Sequence, residues 1–212
     1  MKVIKSPLGY LQENVYLAFC ENTNEGVLID PGSTPDKIFE LLEENNVTLK
    51  YIILTHAHFD HIEAIPEIKK RFDVPVVLHK DEQEILGNSK YSHSGLYGGM
   101  KVELAADIML EDGDELTFGD ESLKIIHTPG HTPGGACYYS ENARVLFTGD
   151  TLFKNEVGRC DLYKGNLGQL INEIKTKLLI LPDDVAIFPG HSENSTIGRE
   201  KSENSYVRLD RK

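Results

Sequence analysis

The segment Thr55-His56-Ala57-His58-Phe59-Asp60-His61 packs three imidazoles and one carboxylate into six positions. At this chain's composition, a His-x-His-x-Asp-His string arises by chance with a probability of roughly 10⁻³. Neutral imidazoles and carboxylates are the donors of zinc, manganese and iron(II), and no thiolate interrupts the set. The segment follows Tyr51-Ile52-Ile53-Leu54, an apolar run without alternation, as in a strand buried on both faces. A polar loop with Asp60 as a helix cap is the plainer alternative. It would leave uncompensated histidines at the end of a buried strand, which is costly to desolvate.

Three later positions repeat the context. His131 lies in HTPGHTPGG after the strand-like LKII, Asp150 ends VLFTGD, and His191 ends AIFPGH. Any one of them would pass as a capping or solvated turn residue. Four strand ends that each run into a candidate donor do not read as coincidence. Together, His56, His58, Asp60, His61, His131, Asp150 and His191 exceed one tetrahedral site. They suit two divalent ions ~3.5–4 Å apart with a shared carboxylate and a bridging hydroxide. Zinc is the first choice of metal, with iron or manganese as alternatives. His127 also lies near this set, but His131 is the chosen donor because TPG turns flank it on both sides. His79 reads as a core-edge residue and His93 as a surface residue.

The elements that must position these groups alternate along the chain. VIK, NVYLAFC, GVLID and VPVVLH read as strands, as do Glu115–Phe118, Leu123–His127, Ala136–Tyr139, Arg144–Thr148 and Val185–Phe188. Helices are expected over Thr34–Asn46, Ile62–Phe72 and Gly165–Leu181, from their apolar spacing. Gly87–Met100, rich in Gly and Ser, is expected to be a loop. Asp30, in LIDPG, is a post-strand turn residue expected to support the metal-binding loop.

Composition bounds the rest. The chain has 212 residues, 40% of them hydrophobic, and a net charge of −12. That size and content fit one α/β domain over residues 1–212 and exclude a disordered chain. The negative charge argues against nucleic acid as a partner, since phosphate neutralisation needs clustered Lys and Arg. No stretch approaches ~18 apolar residues, so no membrane partner is expected. The N-terminus does not read as a signal peptide, and Cys20, Cys137 and Cys160 form no CxxC pair. Reduced thiols and a cytoplasmic location are therefore expected. Oligomeric state is not legible.

The chain resembles the metallo-β-lactamase-fold hydrolases, and within them the short glyoxalase II-like proteins. The resemblance rests on THAHFDH, HTPGHTPGG, FTGDTLF and PGHSENSTIG and spans essentially the whole sequence. It implies an αββα sandwich of two mixed sheets flanked by helices, with metals in a cleft at one edge. It places His56, His58 and His131 on a first ion, Asp60, His61 and His191 on a second, and Asp150 between them. It also implies hydrolysis of a small thioester such as an S-acylglutathione by metal-bound hydroxide, with Asp60 as both ligand and catalytic residue.

Only 21 residues follow His191, so the C-terminal helical domain of longer glyoxalase II proteins is not expected. Val157–Asp161 resembles a GR-x-D motif shared with persulfide dioxygenases, and a mononuclear iron persulfide dioxygenase is the alternative reading. Arg159 could bind a substrate carboxylate or pair structurally with Asp161. Asp161 could accept a hydrogen bond from a ligand imidazole and orient it, or stabilise a turn. A purely metal-binding, non-catalytic protein would need an incomplete site, and no ligand position is missing. A nuclease or an exported β-lactamase is not expected, given the charge and the absence of an export signal.

Overall fold

A computed structural model describes residues 1–96 and 99–208. Its first sheet contains β1 (Lys2–Leu8), β2 (Glu13–Phe19), β3 (Glu25–Ile29), β4 (Thr48–Ile53), β5 (Val76–His79) and β6 (Ile108–Leu110) in sequence order. The β1–β2–β3 pairs are antiparallel, and β3 to β6 are parallel. The chain then forms β7 (Glu115–Phe118), β8 (Glu121–His127), β9 (Ala136–Ser140) and β10 (Val145–Gly149). A small ribbon of β11 (Leu152–Phe153) and β12 (Glu156–Val157) follows, then β13 (Ala186–Pro189) and β14 (Ser195–Thr196). The second sheet has the order β14-β13-β10-β9-β8-β7 and is also mixed, with β10 and β13 parallel.

The layers follow from side-chain alternation. Tyr16 and Ala18 of β2 face the second sheet, where they join Ile53, Val77, Phe118, Ile125, Tyr138 and Phe147 in the inter-sheet core. Val15, Leu17 and Phe19 point the other way, into a core closed by Ile38, Leu42, Ile65 and Ile68. Both faces of β2 are thus covered, which is why its sequence shows no polar face. Ile38 and Leu42 stand four residues apart on α1 (Pro35–Glu44), and Ile65 and Ile68 lie on α3 (Ile65–Arg71). On the outside of the second sheet, Leu146 and Ile187 meet Leu170, Ile174 and Leu178 from helix Leu167–Glu173 and the π turn Ile174–Leu178. The architecture is the four-layer αββα sandwich.

Several expectations need correction. The single helix over Ile62–Phe72 is two pieces, α2 (Phe59–Ile62) and α3. Pro66 sits in the first turn of α3, where its missing N–H costs nothing, so it starts a new helix instead of continuing the old one. The expected loop Gly87–Met100 contains a one-turn helix, Ser89–Ser92, capped by the Asn88 side chain on Lys90 N–H; Tyr97 and Gly98 lie outside the described residues. His93 is half-buried, with its ring 6.3 Å from that of His58, so it is not a surface residue. Among the described residues, no helix is long and apolar enough to cross a membrane. Cys20, Cys137 and Cys160 are free.

The two sheets are joined along one rim. Asn14 N–H donates to Gly190 O (2.7 Å), the Tyr16 hydroxyl to Pro189 O (2.6 Å) and the Tyr138 hydroxyl to Leu54 O (3.0 Å). Ala136 N–H reaches Thr55 O at 2.9 Å. The loops after β4, β8, β10 and β13 all open at this rim, and these loops carry the candidate donors.

Candidate metal centre

His56, His58 and His131 come from two different sheets and converge. Their donor atoms lie within 4.8 Å of one another, with His58 Nδ1 2.9 Å from His131 Nε2. The rings are nearly perpendicular in every pair, at 80–87°, with centroids 4.7–4.8 Å apart. In-plane lone pairs on mutually perpendicular rings can meet at one point. A second trio, Asp60, His61 and His191, has the same compactness, and Asp60 Oδ2 lies 3.1 Å from His191 Nε2.

Asp150 stands between the trios. Its Oδ1 is 3.5 Å from His61 Nε2 and 3.9 Å from His191 Nε2, while its Oδ2 is 3.8 Å from His131 Nε2. One carboxylate oxygen therefore faces each trio. The close approach depends on Gly190, where a Cβ would collide with Asp150 Oδ1 and the His61 ring. All seven donors predicted from sequence are thus brought together.

Outer hydrogen bonds aim these side chains. Asp30, in the left-handed region at φ 51°, accepts from Thr55 N–H (2.8 Å) and the Thr55 hydroxyl (2.6 Å). With its proton committed to Asp30, the Thr55 oxygen accepts from His56 Nδ1–H at 3.1 Å, which leaves the Nε2 lone pair free. Asp30 Oδ2 also lies 3.1 Å from His61 Nδ1. His131 Nδ1–H donates to the Arg159 backbone carbonyl at 2.6 Å, again freeing Nε2. Such partners fix both ring orientation and tautomer.

Of the roles open to Asp161, the structure shows the pairing with Arg159. Its carboxylate binds the Arg159 guanidinium in bidentate fashion, at 2.7 and 2.8 Å, and the acceptor for His131 is a main-chain carbonyl. Arg159 itself lines a cavity of about 780 Å³, together with Leu8, Tyr10, Leu11, Phe59 and Asp60. Glu13 was missed from sequence. Its buried carboxyl lies 3.8 Å from His61 Nδ1 and neither oxygen has a hydrogen-bond partner, so burial pushes its pKa well up.

The donor chemistry fits divalent ions. His56 Nε2, His61 Nε2 and Asp150 Oδ1 are buried without hydrogen-bond partners, an arrangement that costs free energy unless a cation meets them. The two trios differ in charge. Burial, reinforced by neighbouring imidazoles, keeps His56 and His58 well below the usual histidine pKa, and burial lowers His131 despite Asp150. Burial also opposes charge on His61 and His191. There the carboxylates outweigh it, Asp60, Asp30 and Asp150 around His61 and Asp60 and Asp150 around His191, and hold both rings above the usual value.

A raised imidazole pKa means that protons compete for the lone pair at higher pH. Lowering the pH should therefore empty the Asp60–His61–His191 trio before the all-histidine trio. Dialysis at graded pH followed by elemental analysis should show two successive losses, and a single joint loss would contradict this order.

A further trio, His79, Asp81 and His127, also has donor atoms within 4.8 Å. Its two imidazoles are stacked at 3.7 Å and 12°, so their lone pairs run parallel and do not converge. His127 Nε2 is spent on Pro133 O at 2.9 Å. The His131 donor atom, in contrast, lies with those of His56 and His58. His93→Ala should leave metal content unchanged, because the His93 ring lies outside both trios; elemental analysis of that variant checks it.

Residues 8–191 match the metallo-beta-lactamase superfamily. The chain is 36% identical to the probable metallo-hydrolase YqgX of Bacillus subtilis, with 98% of each chain covered. It is 33% identical to the hydroxyacylglutathione hydrolase GloC of Haemophilus influenzae, with 95% of each covered. Among solved structures it is similar to the BLEG-1 B3 metallo-beta-lactamase, at a TM-score of 0.91 and 35% identity, covering 97% of this chain and 99% of that one. TTHA1623 in a di-iron-bound form aligns at 0.86 and 34%, covering 96% and 100%. ETHE1 from Myxococcus xanthus aligns at 0.81 and 28%, covering 97% and 84%.

Proposed function

The chain belongs to the metallo-β-lactamase superfamily, and from that premise we propose that it is a binuclear metal-dependent hydrolase of a small thioester such as an S-acylglutathione. The observation that carries the two-ion reading is the Asp150 carboxylate, which offers one oxygen to each trio. His56, His58 and His131 would hold one ion and Asp60, His61 and His191 the other, with zinc as the first choice. A divalent pair there supplies Lewis-acid polarisation of the carbonyl and lowers the pKa of water from 15.7 to about 7.

The chain's own groups do the rest. Burial keeps the first-trio imidazoles neutral, so their lone pairs are available without a proton to displace. Asp60 lines the cavity and lies beside His191, so its carboxylate is placed to accept a hydrogen bond from the attacking water and orient it. A thiolate leaving group needs little help from an acid. Leu8, Leu11 and Phe59 give the cavity an apolar wall for the acyl part. Arg159, on the same wall, would meet a carboxylate of the thiol part by exchanging its Asp161 partner. The hydroxyacylglutathione hydrolase relative supports this substrate class.

The alternative is a mononuclear iron persulfide dioxygenase, using His56, His58 and either His131 or Asp150. It draws support from the first trio, which is compact by itself; the likeness to a di-iron-bound structure supports iron as a metal for this fold, but as a pair. Turnover assays on S-lactoylglutathione, glutathione persulfide with oxygen, and a β-lactam separate the readings. Hydrolysis of the thioester alone is the expected result. Oxygen uptake on the persulfide, or β-lactam cleavage without thioester cleavage, would overturn the proposal.

A further inference from the structure

Glu82 ends the 3-10 turn Lys80–Glu82 that follows β5, and its side chain is fully buried. Its carboxylate is divided between two loops. Oε1 accepts from Ala57 N–H at 2.9 Å, and Ala57 lies between His56 and His58. Oε2 accepts from the Thr132 hydroxyl at 2.8 Å and from Gly134 N–H at 2.9 Å, just beyond His131. The first loop leaves β4 in one sheet, and the second leaves β8 in the other. Gly134 packs so closely that a Cβ would collide with the Glu82 backbone.

We propose that Glu82 is a positioning residue for the His56–His58–His131 site: its carboxylate holds the two histidine-bearing loops at a fixed separation before any metal arrives. The inference rests on the metal reading above.

The chemistry favours this role over simple filling of space. Burying a carboxylate is costly, and burial pushes Glu82 up to about 7 against the pull of its three donors. An apolar side chain would avoid that cost but would leave Ala57 N–H and Gly134 N–H unpaired. A carboxylate, with two oxygens rigidly spaced, serves both loops at once. His58 Nδ1 and His131 Nε2, by contrast, meet only through their metal-facing atoms. Glu82 hydrogen-bonds none of the trio side chains and acts through the loops that carry them.

The test is a Co(II) titration of the metal-free full chain, read by d–d absorption, on wild type, Glu82→Gln and Thr132→Val. His131→Ala and His191→Ala chains identify which absorption belongs to which site. Glu82→Gln presents an NH₂ group where one loop needs an acceptor. Affinity of the first site should fall about 10–100-fold, as for loss of an outer hydrogen-bond partner, while the second site is unchanged. Thr132→Val removes one bond of the three and should weaken the same site by less, which keeps the test decisive if Glu82→Gln folds poorly. Equal weakening of both sites, or none at either, would overturn the proposal. Failure of the wild type to bind Co(II) at all would instead remove the metal reading beneath it.

Discussion

His131→Ala should lose the ion of the all-histidine trio and with it all measurable thioester turnover. His131 is 3% exposed, its Nε2 lies 2.9 Å from His58 Nδ1, and its Nδ1 is anchored on Arg159 O. Removing the ring leaves two imidazoles where three converged. The affinity loss should exceed the ~10–100-fold that follows loss of an outer partner alone. The substitution also leaves the Arg159 carbonyl without its donor, at a cost of about 1–3 kcal/mol. Circular dichroism of the metal-free variant therefore has to accompany the elemental analysis, to show that the fold persists. His56→Ala should behave alike. His127→Ala, four residues before His131 and stacked on His79, should keep its metal. Normal loading in both His56→Ala and His131→Ala would sink the ligand assignment.

Asp60→Asn separates the two enzymatic readings. In the binuclear hydrolase, Asp60 holds the second ion with His61 and His191 and orients the attacking water. Asn keeps the shape but removes the charge that, in the free protein, sits beside His191 Nε2 at 3.1 Å. Burial opposes ionisation of Asp60, but His61 and His191 hold its pKa well below the usual carboxylate value, so the charge is present throughout the working pH range. Thioester turnover should fall about 10²-fold or more, the scale of a mispositioned nucleophile. Second-site occupancy should fall with it. In the mononuclear dioxygenase, the same change touches a residue outside the iron ligands, so most of the iron and a measurable oxygen uptake should survive. Thioester hydrolysis undiminished in Asp60→Asn would defeat the binuclear account.

The candidate donors were legible because side-chain type and local context coincided: imidazoles or a carboxylate directly after an apolar strand, four times over. The sandwich was legible for a related reason. β2 and the run Tyr51-Ile52-Ile53-Leu54 show no polar face, which requires cover on both sides. What sequence hid falls into two kinds. Main-chain partners are silent in side-chain patterns, so nothing in the sequence pointed to the carbonyl of Arg159 as the acceptor of His131. Long-range polar contacts are equally silent. Nothing local marks Glu82, in a run of charged residues after β5, as the link between loops 25 and 50 positions away. Asp30 was placed correctly as a support because a turn residue after a strand has few other tasks, but its hold on Thr55 and its proximity to His61 emerged only in three dimensions. The break at Pro66 was readable in principle, yet the apolar spacing of Ile62, Ile65 and Ile68 continues through it.

The most direct test of the central claim is metal stoichiometry by elemental analysis of the purified full chain, paired with S-lactoylglutathione turnover on the same preparation. Two divalent ions per chain, with hydrolysis that disappears on chelation and returns when metal is restored, is the expected result. One iron per chain, with no thioester cleavage and with persulfide-dependent oxygen uptake, would contradict it.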